Sequence, residues 1–413
     1  MTVPNTKAGV AATGTGVRSR PRGVLPALCV TQITSWGVLY YAFPVLNPAI
    51  TRDTGWPASA TTAAFSAALI VSAAVGIFVG RVLDRQGPRT VMTAGSVLGP
   101  LSLLVVAAAP NLAVFTTGWL VAGAAMAATF YPPAFAALTR WWAPDHIRAL
   151  TVVTLAGGLA STVFAPLTAV LADHYSWRTT YAVLAGILAA LTIPTHALAL
   201  RAPWPPAPHG GCHQSAAGPD PAVRSRAFWM LAATFAFSGL AMYAAVITLV
   251  PLFLERGYTT AQAAWALGLG GAGQTLGRTL YAAVARHTGT ITRTAALVAL
   301  GGLTTTAFAL IPGPYALLVA LSVLAGIVRG NLTLLQATAV TDRWGTTHYG
   351  RLSGLLAAPA HTAAALAPFA GTLIAGPLGG YPALFAVLAA LSAAAAITAI
   401  GTRPARTSTR AST

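Results

Sequence analysis

Acidic side chains are scarce in this sequence, whose 413 residues include 7 Asp and Glu against 24 Lys and Arg. Charged residues make up 8% of the chain, whereas a soluble globular protein carries about 25%. Because 56% of the residues are hydrophobic, the chain cannot be solvated as one globule. Most of it must therefore face lipid or other helices, which indicates a membrane protein.

Cysteine is also rare, with Cys29 in an apolar run and Cys212 in a polar stretch. This pattern contains no disulfide framework. Although His209 and His213 flank Cys212, their spacing matches no ordinary zinc site, so no metal is expected. The net charge of +17 could indicate a nucleic-acid partner. However, the basic residues lie in short gaps between apolar runs, and membrane orientation explains them better.

The sequence contains twelve apolar runs, most of them close to the roughly 20 residues that a helix needs to cross a bilayer. They lie near 26–50, 58–80, 90–109, 111–138, 149–172, 177–200, 227–254, 261–284, 294–311, 314–340, 352–375 and 381–401. The first run is too long for the core of a signal peptide. We therefore predict an all-α protein with twelve transmembrane helices.

Lys and Arg are distributed unevenly between the two sets of gaps. The tails and the even-numbered gaps hold nineteen of them, and the odd-numbered gaps hold only Arg52, Arg178 and Arg256. Basic residues favour the cytoplasmic side. The asymmetry predicts a multi-pass protein of the cell inner membrane with both termini in the cytoplasm.

The chain divides into two halves that repeat weakly. Residues 201–226 are rich in Pro, Gly and His and are typical of a flexible linker. The pair Arg140–Trp141 and the pair Arg343–Trp344 are each followed by a further arginine at the same distance. We predict five segments: a cytoplasmic tail 1–25, a six-helix bundle 26–200, a cytoplasmic linker 201–226, a second six-helix bundle 227–401, and a cytoplasmic tail 402–413.

The gap Gly80–Arg89 reads GRVLDRQGPR and lies between the second and third runs. It resembles the helix 2–3 loop motif of the major facilitator superfamily, and Pro88 departs from that pattern. The matching residues are Gly80, Asp84, Arg85, Gly87 and Arg89. The resemblance implies two pseudo-symmetric six-helix bundles with the substrate site between them, and a role for this motif in conformational cycling.

A second resemblance lies in the eighth run. Transporters of the monocarboxylate and oxalate–formate type carry a helix 8 arginine that holds the substrate carboxylate, and Arg278 matches it. Gln274 stands where the monocarboxylate branch has an aspartate, which leaves the proton-coupling scheme open. The aromatic-rich stretch Trp36–Ile50 is also similar to this branch.

Two arginines, Arg278 and Arg329, lie inside apolar runs, whereas all seven carboxylates lie in gaps or at run ends. A charged arginine in a bilayer centre costs at least ~2.5 kcal/mol. Arg278 could extend its side chain to the surface, but Arg329 lies too deep, so a polar cavity is expected. We predict that both arginines and Gln274 bind substrate. His361, Tyr40 and Tyr131 are further candidates for substrate binding, each with side-chain packing as the alternative.

Glycines spaced four residues apart recur in the apolar runs and predict close helix packing, since small residues let helix backbones approach each other. The pairs are Gly76/Gly80, Gly95/Gly99, Gly273/Gly277 and Gly326/Gly330.

These observations favour a secondary active transporter of a small organic solute, expected to be an anion such as a carboxylate, working by alternating access. We expect a monomer in the lipid bilayer that is not an enzyme, needs no cofactor, and is driven by a proton or substrate gradient. One alternative is an efflux pump for a drug-like or secondary metabolite. Another is a non-transporting membrane sensor or scaffold, although no sizeable soluble domain is evident.

Overall fold

The computed structural model describes residue 21 and residues 23–142, 146–204, 221–344 and 349–402. The predicted tails lie almost entirely outside the described residues. So does most of the predicted linker, including Cys212. Within the described ranges, all regular structure is helical.

The described residues form twelve long helices, as the apolar runs predict, together with short helices at Pro221–Arg224 and Thr341–Trp344. The long helices are α1 (Val24–Thr54), α2 (Ala58–Gln86), α3 (Pro88–Ala108), α4 (Leu112–Thr129 continuing as Tyr131–Trp141), α5 (His146–Gly158 continuing as Ala160–His174), α6 (Trp177–Ala199), α7 (Arg226–Glu255), α8 (Thr260–His287), α9 (Thr290–Leu310), α10 (Tyr315–Thr338), α11 (Tyr349–Ala375) and α12 (Tyr381–Ile400).

Ten of these helices are long and apolar enough to cross a membrane by length and composition alone. The other two, α8 and α11, are of similar length and pack against α10 and α7 respectively. The chain is therefore a multi-pass membrane protein built from two sets of six helices.

Aromatic side chains fill the core of the first half. The rings of Phe43 and Phe65 stack with centroids 4.4 Å apart, and Trp119 meets both rings edge-on. These three residues are fully buried. Such offset and edge-to-face pairs add to the free energy gained from burial alone, so this core fixes how α1, α2 and α4 pack together.

Proline breaks α4 near its middle. Pro133 has no N–H to donate to the carbonyl of Thr129, four residues earlier. Gln32 on α1 supplies the missing donor, and its Nε2 lies 2.7 Å from the Thr129 oxygen. Phe130 adopts an extended backbone between the two parts of α4, so that Tyr131 begins a new helical segment.

The two halves contact each other along two pairs of helices. Between α2 and α11, the hydroxyls of Thr62 and Thr372 are hydrogen-bonded, and the Ser66 hydroxyl accepts from the Phe369 N–H at 3.2 Å. Between α5 and α8, the Thr162 hydroxyl donates to the Gly268 carbonyl at 2.8 Å. All of these hydrogen bonds join the two bundles, and those between α2 and α11 involve the early part of α2 and the late part of α11.

The α2 face that meets α11 is open at its other end. Gly80 lies five helical turns beyond Thr62 on the same face, and a Cβ added at Gly80 or Gly76 would meet no described atom within 4 Å. The neighbouring side chains of Ile77 and Phe78 are 66% and 65% exposed. Among the described residues nothing covers this part of α2, and we call the space beside it, towards the Gly80–Arg89 loop, the cleft.

The predicted glycine packing is confirmed for three pairs, and for Gly76/Gly80 the described residues supply no packing partner. A Cβ at Gly273 or Gly277 would lie about 2 Å from a backbone oxygen of α10, at 2.3 and 2.1 Å. Gly95 and Gly99 are packed against side chains of α4 and α6.

Candidate functional site

Six residues from both halves meet near the middle of the bundle, and we call them the central cluster. They are Tyr40 on α1, Tyr131 on α4, Tyr243 on α7, Gln274 and Arg278 on α8, and Arg329 on α10. Two arginines are thereby placed beside three phenolic hydroxyls at the interface between the halves.

Arg278 reaches from α8 across to the first half. Its side chain is buried, with 7% exposed, and its Nη1 donates to the backbone carbonyl of Thr154 on α5. The Tyr131 hydroxyl lies beside the guanidinium, close enough to interact with it. Arg278 is therefore a bridge between the bundles and does not extend to the membrane surface.

Arg329 is held within the second half. Its Nε donates to the Gln274 side-chain oxygen at 3.1 Å, and 9% of the residue is exposed. Gln274 lies one helical turn before Arg278 on α8. This hydrogen bond therefore holds the guanidinium group of Arg329 about one helical turn from the position of Arg278. Gln274 thus positions an arginine.

The tyrosines line the space between these arginines and α1. Tyr243 is within electrostatic range of both Arg278 and Arg329, and Tyr40 is within range of Arg329 and Tyr243. Tyr40 lies in a π-helical turn, Gly37–Tyr41, a feature that occurs often at functional sites. These contacts link the aromatic part of α1 to the cationic part of α8 and α10.

Several polar atoms of the cluster have no hydrogen-bond partner among the described residues. They are Nε of Arg278, Nη2 of Arg329 and the hydroxyl of Tyr40. A buried polar group without a partner costs about 1–3 kcal/mol, and a charged group costs more. The cluster therefore has unused hydrogen-bonding groups and two positive charges.

Carboxylates described in the structure are engaged away from the cluster. Asp53 accepts from the Trp177 indole at 2.8 Å, Glu255 accepts from the Tyr381 N–H at 2.8 Å, and Asp342 pairs with Arg293. All of them lie at the ends of the long helices or beyond, as the sequence indicates. The charge of the central arginines is thus not balanced by these acids.

His361 lies apart from the central cluster. It is exposed on α11, three turns before Thr372 and on the same face, so it borders the open part of the cleft. No contact described in the structure joins it to either arginine. Its role in substrate binding stays a prediction.

The loop motif lies at the far end of the cleft from the described inter-bundle hydrogen bonds. Arg89 donates to the Ala197 carbonyl on α6 at 3.0 Å, and Gly87 has a φ of 80°, which suits glycine. Arg85 is exposed and Gly80 has open space beside it. The side chain of Asp84 lies outside the described residues.

Sequence reasoning missed the part that α5 plays in this site. A Cβ at Gly157 would lie 2.3 Å from the Tyr131 hydroxyl, and one at Gly158 would lie 3.2 Å from Nη1 of Arg278. Only glycine lets α5 come so close to both side chains. The adjacent pair of glycines in an apolar run is the signal that could have found it.

A buried ion pair outside the cluster was also missed. Arg293 at the start of α9 is 5% exposed, pairs with Asp342, and donates to the carbonyls of Ala285 and Thr288 at 3.4 and 3.3 Å. Its guanidinium also lies 5.6 Å from the centre of the Tyr281 ring. This arginine ties the α8–α9 turn to the short helix that follows α10.

Solved structures share this fold over nearly the whole chain. A bacterial homologue of the human lysosomal transporter Spinster, in an inward-facing and unoccupied conformation, has a TM-score of 0.71 and 14% identity, covering 94% of this chain and 95% of its own. A mutant of the nucleoside transporter NupG has a TM-score of 0.68 and 12% identity, covering 92% and 100%.

Curated relatives match a shorter part. The uncharacterized MFS-type transporter YcxA of Bacillus subtilis is 29% identical over 140 residues, 33% of each chain. Monocarboxylate transporter 13 of Bos taurus is 29% identical over 154 residues, 37% of this chain and 34% of its own. The chain thus spans about a third of the length of these relatives. The sequence pattern of the Major Facilitator Superfamily matches residues 28–318, and the chain belongs to this superfamily of transporters.

Proposed function

We propose that this protein is a secondary active transporter of a small organic anion such as a carboxylate, working by alternating access of the two halves. The observation that carries the proposal is the pair Arg278 and Arg329, both buried at the centre with N–H groups that have no described partner. A guanidinium presents a planar fork that fits a carboxylate. A bound carboxylate would use these N–H groups and offset the buried charge.

The partial likeness to a protein named monocarboxylate transporter supports the same class of substrate. We also propose that the protein works as a monomer in the cell inner membrane with both termini in the cytoplasm, since basic residues favour that side. A proton or substrate gradient would drive it without any cofactor. The five-segment division with a cytoplasmic linker belongs to the same proposal.

Uptake by proteoliposomes tests the proposal. Wild type and three variants, Arg278→Lys, Arg278→Gln and Arg329→Gln, are offered labelled acids, amines and neutral drugs. A charge-assisted hydrogen bond contributes roughly 1.5–3 kcal/mol, so Arg278→Gln should weaken acid binding about 10- to 150-fold. Arg278→Lys keeps the charge but loses the fork, and should fall between Gln and wild type.

The matched control is Arg286→Gln on the same helix, where the arginine is exposed, and it should leave acid uptake unchanged. Preferred transport of cations or neutral drugs would refute the anion proposal and favour the efflux alternative. A complete lack of flux with any solute, in protein that still binds acids, would favour a sensor.

A further inference from the structure

The second half contains a cavity of about 70 Å³ between its own helices. Its walls come from α7, α8, α9, α10 and α12. Two of these helices, α9 and α12, pack against each other on the side of the bundle away from the first half. Arg329 is one of the lining residues, so the cavity begins at the central cluster.

Arg329 is the charged group of this cavity. Its Nε is used by Gln274, whereas its buried Nη2 has no described partner. A cation that is nine-tenths buried and lines an internal space favours an anionic group there, because an uncompensated buried charge is costly. The head of a ligand at this place would therefore be negative.

The rest of the wall favours an apolar body. Val246 and Phe308 contribute hydrocarbon surface. Among the hydroxyls that line the cavity, Thr305 donates to Gly301 at 2.8 Å, Ser322 to Leu318 at 2.9 Å and Ser392 to Leu388 at 2.9 Å. Because these donors are used within their own helices, they offer no hydrogen-bond donor to a ligand.

The volume limits the size of that body. An engineered apolar cavity of about 150 Å³ binds benzene, and this cavity has about 70 Å³. By proportion, it has room for roughly three carbon atoms.

We propose that this cavity is a substrate subsite, which takes the apolar body of a short or branched aliphatic carboxylic acid while Arg329 holds the carboxylate. The inference rests on the proposed function and adds the class of acid. It also places selectivity on α9, at Gly301 and Thr305, outside the helices that carry the central cluster.

Gly301 offers a direct test. A Cβ at this position would lie 3.7 Å from Val328 and 3.9 Å from Leu332, so a methyl group fits without a clash, and Gly301 lines the cavity. Gly301→Val fills it and Gly301→Ala fills it partly. Val328→Ala enlarges it. Gly186→Val on α6 is the matched control, since a Cβ there meets nothing within 4 Å.

Six acids are tested as inhibitors of labelled-acid uptake by the proteoliposomes: acetate, propionate, isobutyrate, isovalerate, benzoate and octanoate. Wild-type affinity should rise about fourfold per added carbon up to isobutyrate and fall for octanoate. Gly301→Val should bind isobutyrate no better than acetate, with acetate unchanged. Val328→Ala should shift the preference towards benzoate.

Equal loss of acetate and isobutyrate in Gly301→Val, or no dependence of wild-type affinity on body size, would overturn the subsite while carboxylate transport stands. If Gly301→Val does not fold, as its melting curve would show, Gly301→Ala and Val328→Ala decide the question by the same comparison. If wild type binds none of these acids and Arg278→Gln changes nothing, the proposed function itself fails.

Discussion

Gly326 on α10 lies against the backbone of α8, and replacing it with alanine is the sharpest perturbation that the fold offers. A Cβ at this position would lie 1.9 Å from the Gly270 oxygen and 3.0 Å from the Gln274 nitrogen. Both are backbone atoms of a helix, so neither can rotate away. Restoring an ordinary separation of about 3.4 Å requires α8 and α10 to move apart by more than an ångström.

Overpacking of this kind costs about 1–3 kcal/mol, and we expect the upper end because two backbones must shift. Gly326→Ala should therefore lower the Tm of the purified protein by roughly 3–4 °C. It should also weaken substrate binding, since moving Gln274 removes the partner of Arg329.

Thermal unfolding in detergent and a binding assay measure these two effects separately. Gly186→Ala is the control, because its Cβ would meet nothing within 4 Å, and replacing a helical glycine with alanine gains about 0.5–1 kcal/mol. If Gly326→Ala melted at the same temperature as Gly186→Ala and bound substrate normally, the close approach of α8 and α10 would be wrong.

Three further predictions concern the ends of the helices. Asp84→Asn should slow solute flux and leave binding affinity within a few-fold, because the motif lies at the membrane edge, away from the central cluster; a large loss of affinity with unchanged turnover would contradict this. An impermeant thiol reagent should label Cys212 only after the cells are opened, and labelling of intact cells would refute the cytoplasmic linker. Asp342→Asn should lower the free energy of unfolding by roughly 1.5–3 kcal/mol, because Arg293 is 5% exposed while Asp342 is 27% exposed; an unchanged Tm would mean that the carbonyl partners of Arg293 suffice.

The sequence predicted the features that depend on local composition. Run length and hydropathy fixed the twelve helices, and the rarity of deep charges singled out Arg278 and Arg329. The links between halves could not be predicted, because the Thr154 carbonyl that accepts from Arg278 is a backbone group with no sequence signature. Gly76 and Gly80 show the same limit, since spacing predicts a packing face but not whether its partner is in place.

Two hydrogen bonds between α2 and α11 define how these helices are aligned. This alignment predicts which residues would meet if the other end of the pair closed. Thr62 meets Thr372 and Ser66 meets Phe369, so the helices run antiparallel in a fixed register. Continued along both helices, that register sets Gly80 opposite Leu355, which is now 40% exposed.

The uncovered part of α2 around Gly76 and Gly80 could therefore receive side chains of α11. Closure at this end would bury apolar surface at about 25 cal/mol per Å², while the contacts near Thr62 come apart. Replacing one apolar contact between α2 and α11 by another would keep the two conformational states close in free energy. A transporter that returns to its starting conformation requires this.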